Sequence, residues 1–108
     1  EEAHYAVNNI GINWTQEAIK CAKEWLSYNA YSKQRLYEIL MEIEKFTSSE
    51  AWYAANNSGA NYYQEALECA QSWMKYYSYS QNRLYEILTD IEKFTPSEAQ
   101  YALNILFN

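Results

Sequence analysis

The sequence predicts an all-α protein: two tandem three-helix, helix-turn-helix-like repeats, preceded by one extra N-terminal helix. Three observations carry this expectation. The segment SKQRLYEILMEIEKFTSSEAWYAANN from Ser32 returns as SQNRLYEILTDIEKFTPSEAQYALN from Ser80, an offset of 80 − 32 = 48 residues. The register holds from Ala3 to the C-terminus without a gap, with more than half of the paired positions identical. A fixed period of this size is one supersecondary unit used twice. Gly and Pro are nearly absent, two and one, and β-branched runs are missing, which favours helix over strand. Capping residues also precede each apolar stretch at helical spacing. The expected organisation is an N-terminal helix at 1–12, a first repeat at 13–60 and a second at 61–108.

Residues 1–10 match 50–58 and 98–106, so they read as the last helix of a unit, with Glu1 and Glu2 favourable to its dipole. Gly11 and Gly59 follow as C-terminal caps. Asn13 and Asn61 open the next helix, with Gln16 and Gln64 three residues on, in the pattern of a capping box. Its apolar positions are Ala18, Cys21, Ala22, Trp25 and Tyr28, then Ala66, Cys69, Ala70, Trp73 and Tyr76, at helical spacing. Ser32 and Ser80 are the next N-caps. Beyond Ser32, Leu36, Ile39, Leu40, Ile43 and Phe46 are expected to line one face. The opposite face carries Gln34, Glu38, Glu42 and Lys45, repeated as Asn82, Glu86, Asp90 and Lys93.

Thr47 with Glu50, and Thr95 with Glu98, form capping boxes for the third helix. Pro96 takes the first helical position, where its missing N–H is harmless. The third helix is expected to bury Ala51, Ala54 and Tyr53. Helices this short are marginal alone, so they must hold one another. The contact between units is expected through the third helix, which runs almost directly into the next unit.

Composition limits the chemistry. The chain has 108 residues and a net charge of −6, which disfavours nucleic acid and anionic lipid surfaces. A helix beginning SKQR or SQNR resembles a DNA-recognition helix, and Gln, Asn and Arg read bases. Acidic side chains one turn later would face the phosphates, however. The repeats carry 5 − 6 = −1 and 3 − 6 = −3 charges, not a basic footprint. Nucleic acid is therefore not an expected partner.

An enzyme is not expected either. His4 is the only His, and Trp52 and Gln100 stand at its register. There is no phosphate loop, nucleophile motif or cofactor-binding pattern. Two Cys and one His cannot complete a four-ligand zinc site. Cys21 and Cys69 read as buried thiols serving in place of Ala. No apolar run reaches the length of a membrane span, and no signal peptide opens the sequence, as suits the soluble part of a longer protein.

The acidic face is the informative feature. Glu38/Glu42 and Glu86/Asp90 are like-charge i,i+4 pairs, each unfavourable by about 0.2–0.5 kcal/mol in an isolated helix. Both copies keep them. They read as a surface for a basic protein segment, with Glu65 and Glu68 as further candidates. The simpler alternative is that carboxylates keep an aromatic-rich chain soluble.

Among the aromatics, Tyr28, Tyr31, Tyr37 and Tyr53 recur as Tyr76, Tyr79, Tyr85 and Tyr101, and most are expected in or beside the core with wet hydroxyls. Tyr62, Tyr63, Tyr77 and Trp52 mostly do not recur. They could form an exposed platform for a cell-wall polysaccharide or other sugar, which is the alternative function.

The pattern Ala18–x3–Ala22–x2–Trp25–Leu26–x–Tyr28–x2–Tyr31–Ser32–x3–Leu36–x3–Leu40, then Phe46–Thr47–x2–Glu50–Ala51–x–Tyr53–Ala54, resembles the Ltp repeat. Ltp is the family of host-cell surface-exposed lipoproteins of Gram-positive bacteria and their prophages. The resemblance covers both units. Family repeats often carry Gly before the Leu and before the Phe, where this chain has Arg35 and Lys45, then Arg83 and Lys93.

The resemblance implies a non-catalytic helical protein held on the outer face of the cytoplasmic membrane by an N-terminal lipid, and a monomer is expected. The lipobox, signal and linker are then expected outside this chain. It implies superinfection exclusion: injection of incoming phage DNA is blocked by engaging a phage protein such as the tape-measure protein.

Overall fold

The computed structural model describes residues 13–108, so the expected N-terminal helix at 1–12, with Gly11 and His4, lies outside the described residues. The rest is helical. Helices α1 (Trp14–Tyr28), α2 (Lys33–Glu42) and α3 (Ser48–Asn57) form the first unit. Helices α4 (Tyr62–Met74), α5 (Gln81–Glu86, continued by a π-helical turn at Ile87–Ile91) and α6 (Pro96–Leu106) form the second.

The expected caps start these helices. The Asn13 side chain accepts from the Gln16 N–H, and Asn61 from the Tyr63 and Gln64 N–H groups. No reciprocal bond returns from either Gln; the Gln64 amide reaches Glu68 instead, at 3.4 Å. The Ser32 and Ser80 hydroxyls accept from Arg35 and Arg83 N–H. Thr47/Glu50 and Thr95/Glu98 form complete capping boxes, with Pro96 in the first turn of α6. Gly59, just past α3, has φ +85°, a left-handed conformation that Gly adopts without steric penalty.

Each unit has its own core. In the first, Ala18, Ala22, Leu36, Leu40, Phe46 and Ala51 are buried together. In the second, the matching Ala66, Ala70, Leu84, Leu88, Phe94 and Ala99 do the same. Small residues on α1 and α3 let those helices approach closely, and α2 closes over them. Each fully buried Leu contributes about 1.5–3 kcal/mol relative to exposure. The two tryptophans at the rim are fixed at their polar ends: Trp25 Nε1–H donates to Glu44 and Trp73 Nε1–H to Glu92, both at 2.9 Å.

Several side chains depart from the periodic expectation. Ile43 and its counterpart Ile91 are 61% and 48% exposed. The cause is the way the second helix ends. Glu44 N–H bonds Ile39 C=O, and Glu92 N–H bonds Ile87 C=O, five residues back. This wide turn takes Ile43 and Ile91 off the apolar face. Lys45 and Lys93 then adopt φ +67° and +68°, which lets Phe46 and Phe94 fold back into the cores. A left-handed backbone at these two positions is one that Gly adopts without steric penalty and Lys does not. Tyr28 and Tyr76 are also exposed: Tyr28 is the last residue of α1, and Tyr76 lies two residues past the end of α4. Tyr53 is half-exposed, since Ala51, Ala54 and Ala55 supply the buried stripe of α3.

The seam between the units also differs from expectation. Helix α3 does not pack along any helix of the second unit. The α1–α2 turn contributes much of the contact, and α3 takes part through its C-terminal end. Ala30 packs against the second core, the Tyr31 N–H donates to Glu65 Oε1 at 3.2 Å, and the buried Ser32 hydroxyl donates to the Glu92 carbonyl. Tyr62 reciprocates, packing on the first core and donating to the Ala55 carbonyl at the end of α3, at 2.6 Å.

Candidate protein-interaction surface

The acidic candidates fall into two groups. Glu38 and Glu86 each have an arginine one turn earlier, which softens the like-charge pairing seen in the sequence. Glu38 lies 3.9 Å from Arg35 and accepts from the Gln34 amide at 3.0 Å. Glu86 lies 3.1 Å from Arg83. The environments differ: the Glu38 side chain is 27% exposed, the Glu86 side chain 58%. Glu42 and Asp90 are exposed and form no ion pair among the described residues. In the first unit the acidic face therefore presents chiefly Glu42, in the second both Glu86 and Asp90.

Glu65 and Glu68 part company. Glu68 is exposed on α4. Glu65 is half-buried in the seam and holds the Tyr31 N–H. Burial pushes its carboxyl above the ordinary range, with the Tyr31 bond and Glu68 as smaller opposing and reinforcing influences. Its bond to the α1–α2 turn makes it a structural link between units.

Among the described residues, no group of three His, Cys, Asp or Glu converges to hold a metal. Burial drives the Cys69 thiol up to about 12, so it stays protonated and unreactive. Cys21, at the same register, is only partly covered; burial raises it too. No described helix is long and apolar enough to cross a membrane.

The aromatic side chains are distributed rather than gathered. Trp52 stacks on Tyr37 at 4.1 Å, while Tyr63 meets Tyr101 edge-on, with ring centroids 5.5 Å apart and an interplanar angle of 75°. Tyr77 is exposed and tilts against Tyr79, and Tyr62 is half-buried in the seam.

Sequence reasoning missed a groove of about 360 Å³ that crosses the seam. Lys33, Gln34 and Trp52 line it from the first unit, and Thr89, Lys93 and Phe94 from the second. Its signal lay in the repeat itself: Lys33, Trp52 and Thr89 stand where the other copy has Gln81, Gln100 and Met41.

Comparison with known proteins follows from this architecture. A solved structure of Ltp, a superinfection exclusion protein from the Streptococcus thermophilus temperate phage TP-J34, is similar to this chain with a TM-score of 0.81. The two are 31% identical, over 87% of this chain and 96% of that one. No curated protein matches the sequence. The family model described as host cell surface-exposed lipoprotein matches twice, at residues 13–57 and 61–106, one match for each three-helix unit. Both helical units, their alanine stripes and their Thr–Glu capping boxes are thus accounted for together: the chain belongs to the Ltp family of host cell surface-exposed lipoproteins.

Proposed function

We propose that this chain acts in superinfection exclusion, as the extracellular part of a lipid-anchored prophage protein. It works as a monomer on the outer face of a Gram-positive membrane. There it engages a basic segment of an incoming phage protein, such as the tape-measure protein, and stops DNA injection. The observation that carries this reading is the likeness to a superinfection exclusion protein over 87% of the chain, at 31% identity. The exposed carboxylates Glu42, Glu86, Asp90 and Glu68, with the half-buried Glu38, support the charge of the partner. Glu65 is reassigned to the seam. Sugar binding is less favoured, because Tyr63 and Tyr101 meet edge-to-face and do not present one flat platform.

The test is an infection assay with this chain anchored outside the membrane of a sensitive host, following adsorption and DNA entry separately. Normal adsorption with blocked entry is the expected result. Reversing Glu42, Glu86 and Asp90 to Lys should abolish the block while the helical circular dichroism persists. A folded triple variant that still blocks entry refutes the acidic contact. Normal entry with the unaltered chain refutes exclusion itself.

A further inference from the structure

We propose that the groove across the seam is a second binding site, of opposite charge to the acidic surface, for a peptide that carries a carboxylate next to an aromatic or aliphatic side chain. It goes beyond the exclusion reading and does not depend on it.

The first observation is charge. Lys33 comes from the start of α2 and Lys93 from the turn after α5, and both line the same groove. Neither forms an ion pair among the described residues. The Lys33 ammonium instead lies 5.7 Å from the Tyr62 ring centroid, a cation–π contact that leaves it capable of meeting an anion. One carboxylate borders the groove, that of Glu98, and it is bound to the Thr95 N–H at 3.0 Å in the capping box of α6. In a chain of net charge −6, two cations from different units converging on one cleft make a local site for a single anionic group.

The second observation is shape and lining. The volume, about 360 Å³, falls in the range of about 300–1,000 Å³ typical of ligand sites. The walls are more apolar than polar, with Trp52 and Phe94 supplying rings; the Gln34 amide is held by Glu38 and the Thr89 hydroxyl donates to the Tyr85 carbonyl, which leaves the lysines to meet the anion. A sugar phosphate would want the reverse balance. A carboxylate with an adjoining apolar side chain matches both halves.

The third observation is that several of the groove residues differ between the copies, whereas Lys93 and Phe94 repeat Lys45 and Phe46. Most core residues of the two units match, with Ala55 against Leu103 as an exception. The groove residues Lys33, Trp52 and Thr89 face Gln81, Gln100 and Met41 in the alignment. The cation and the indole are therefore not needed for the fold of a unit, because the second unit folds with Gln at both places.

That substitution pattern supplies the test. The full chain, labelled with nitrogen-15, is titrated with the blocked peptide Glu-Phe-Glu-Leu, its Gln-Phe-Gln-Leu analogue, and a glycerol phosphate polymer. The acidic peptide should give saturable amide shifts confined to the groove, weakened by salt. The Gln analogue should give none. Lys33→Gln and Trp52→Gln, each the residue of the other unit, should weaken binding about fivefold while keeping the helical circular dichroism of the parent. Lys93→Gln should do the same. Absent or non-saturable shifts, shifts elsewhere, equal binding of the Gln analogue, or indifference to all three substitutions would overturn the proposal. Binding of the glycerol phosphate polymer at these residues, without the peptide, would overturn the assignment of the ligand.

Discussion

Ser32 and Ser80 occupy the same register and perform the same local task, so replacing each by Ala isolates what the seam adds. Both hydroxyls accept the N–H three residues on, and losing such a cap destabilises by about 1 kcal/mol. Ser80 is exposed, so Ser80→Ala should cost about that and no more. Ser32 is fully buried and also donates to the Glu92 carbonyl of the other unit. Ser32→Ala leaves that carbonyl without its donor, which adds about 1–3 kcal/mol. The expected losses are therefore about 2–4 kcal/mol for Ser32→Ala against about 1 kcal/mol for Ser80→Ala.

Urea unfolding followed by far-ultraviolet circular dichroism gives both values, and tryptophan fluorescence gives a second probe. If the units depend on the seam, the two probes should separate in Ser32→Ala, with a lower apparent m-value. Equal destabilisation of the two variants would refute the account of the seam.

Two further outcomes follow from backbone and burial. Lys45→Gly should stabilise by about 0.5–1 kcal/mol in a thermal melt, because relief of the left-handed residue exceeds the chain entropy that Gly adds. Cys69 is held protonated, at about 12 against a reference of 9.0. Between those limits the unfolded chain binds fewer protons than the folded one, so stability falls as pH rises. The slope is about 1.4 kcal/mol per pH unit for one thiol. The loss should begin near pH 9 and be smaller in Cys69→Ala, where the raised Cys21 and Tyr62 still contribute, when the two proteins are compared by urea midpoint across that window.

The helices and caps were legible because each rests on local chemistry. Asn13, Ser32, Thr47, Ser80 and Thr95 all cap where the spacing placed them. What misled the periodic reading was geometry that no residue type announces. Ile43 continues the apolar spacing of Leu36 and Leu40, yet a five-residue hydrogen bond closes the helix there and turns it outward. Tyr28 fits the stripe of Ala18 and Ala22 but is the last residue of α1 and stands exposed.

The seam was misplaced in part, and for a different reason. Short linkers suggest which elements are neighbours, but much of the contact is made by a turn whose backbone N–H and Ser hydroxyl look like ordinary capping chemistry. Among the acidic candidates, exposure of Glu42, Glu86 and Asp90 agreed with helix spacing. The role of Glu65 depends on Tyr31, 34 residues away, and has no local signature. The groove residues Lys33, Trp52 and Thr89 were visible only as mismatches between copies.

The α1–α2 turn has one more consequence. It joins one unit to the next, with Tyr31 packed on its own core and Ala30 on the core of the other, while most of each core is built within its own unit. Units can therefore be added or removed in steps of one 48-residue period, with the surface chemistry of each left free to diverge. Such a chain varies what it grips by changing unit number and unit surface, while the helices that bear those surfaces stay as they are.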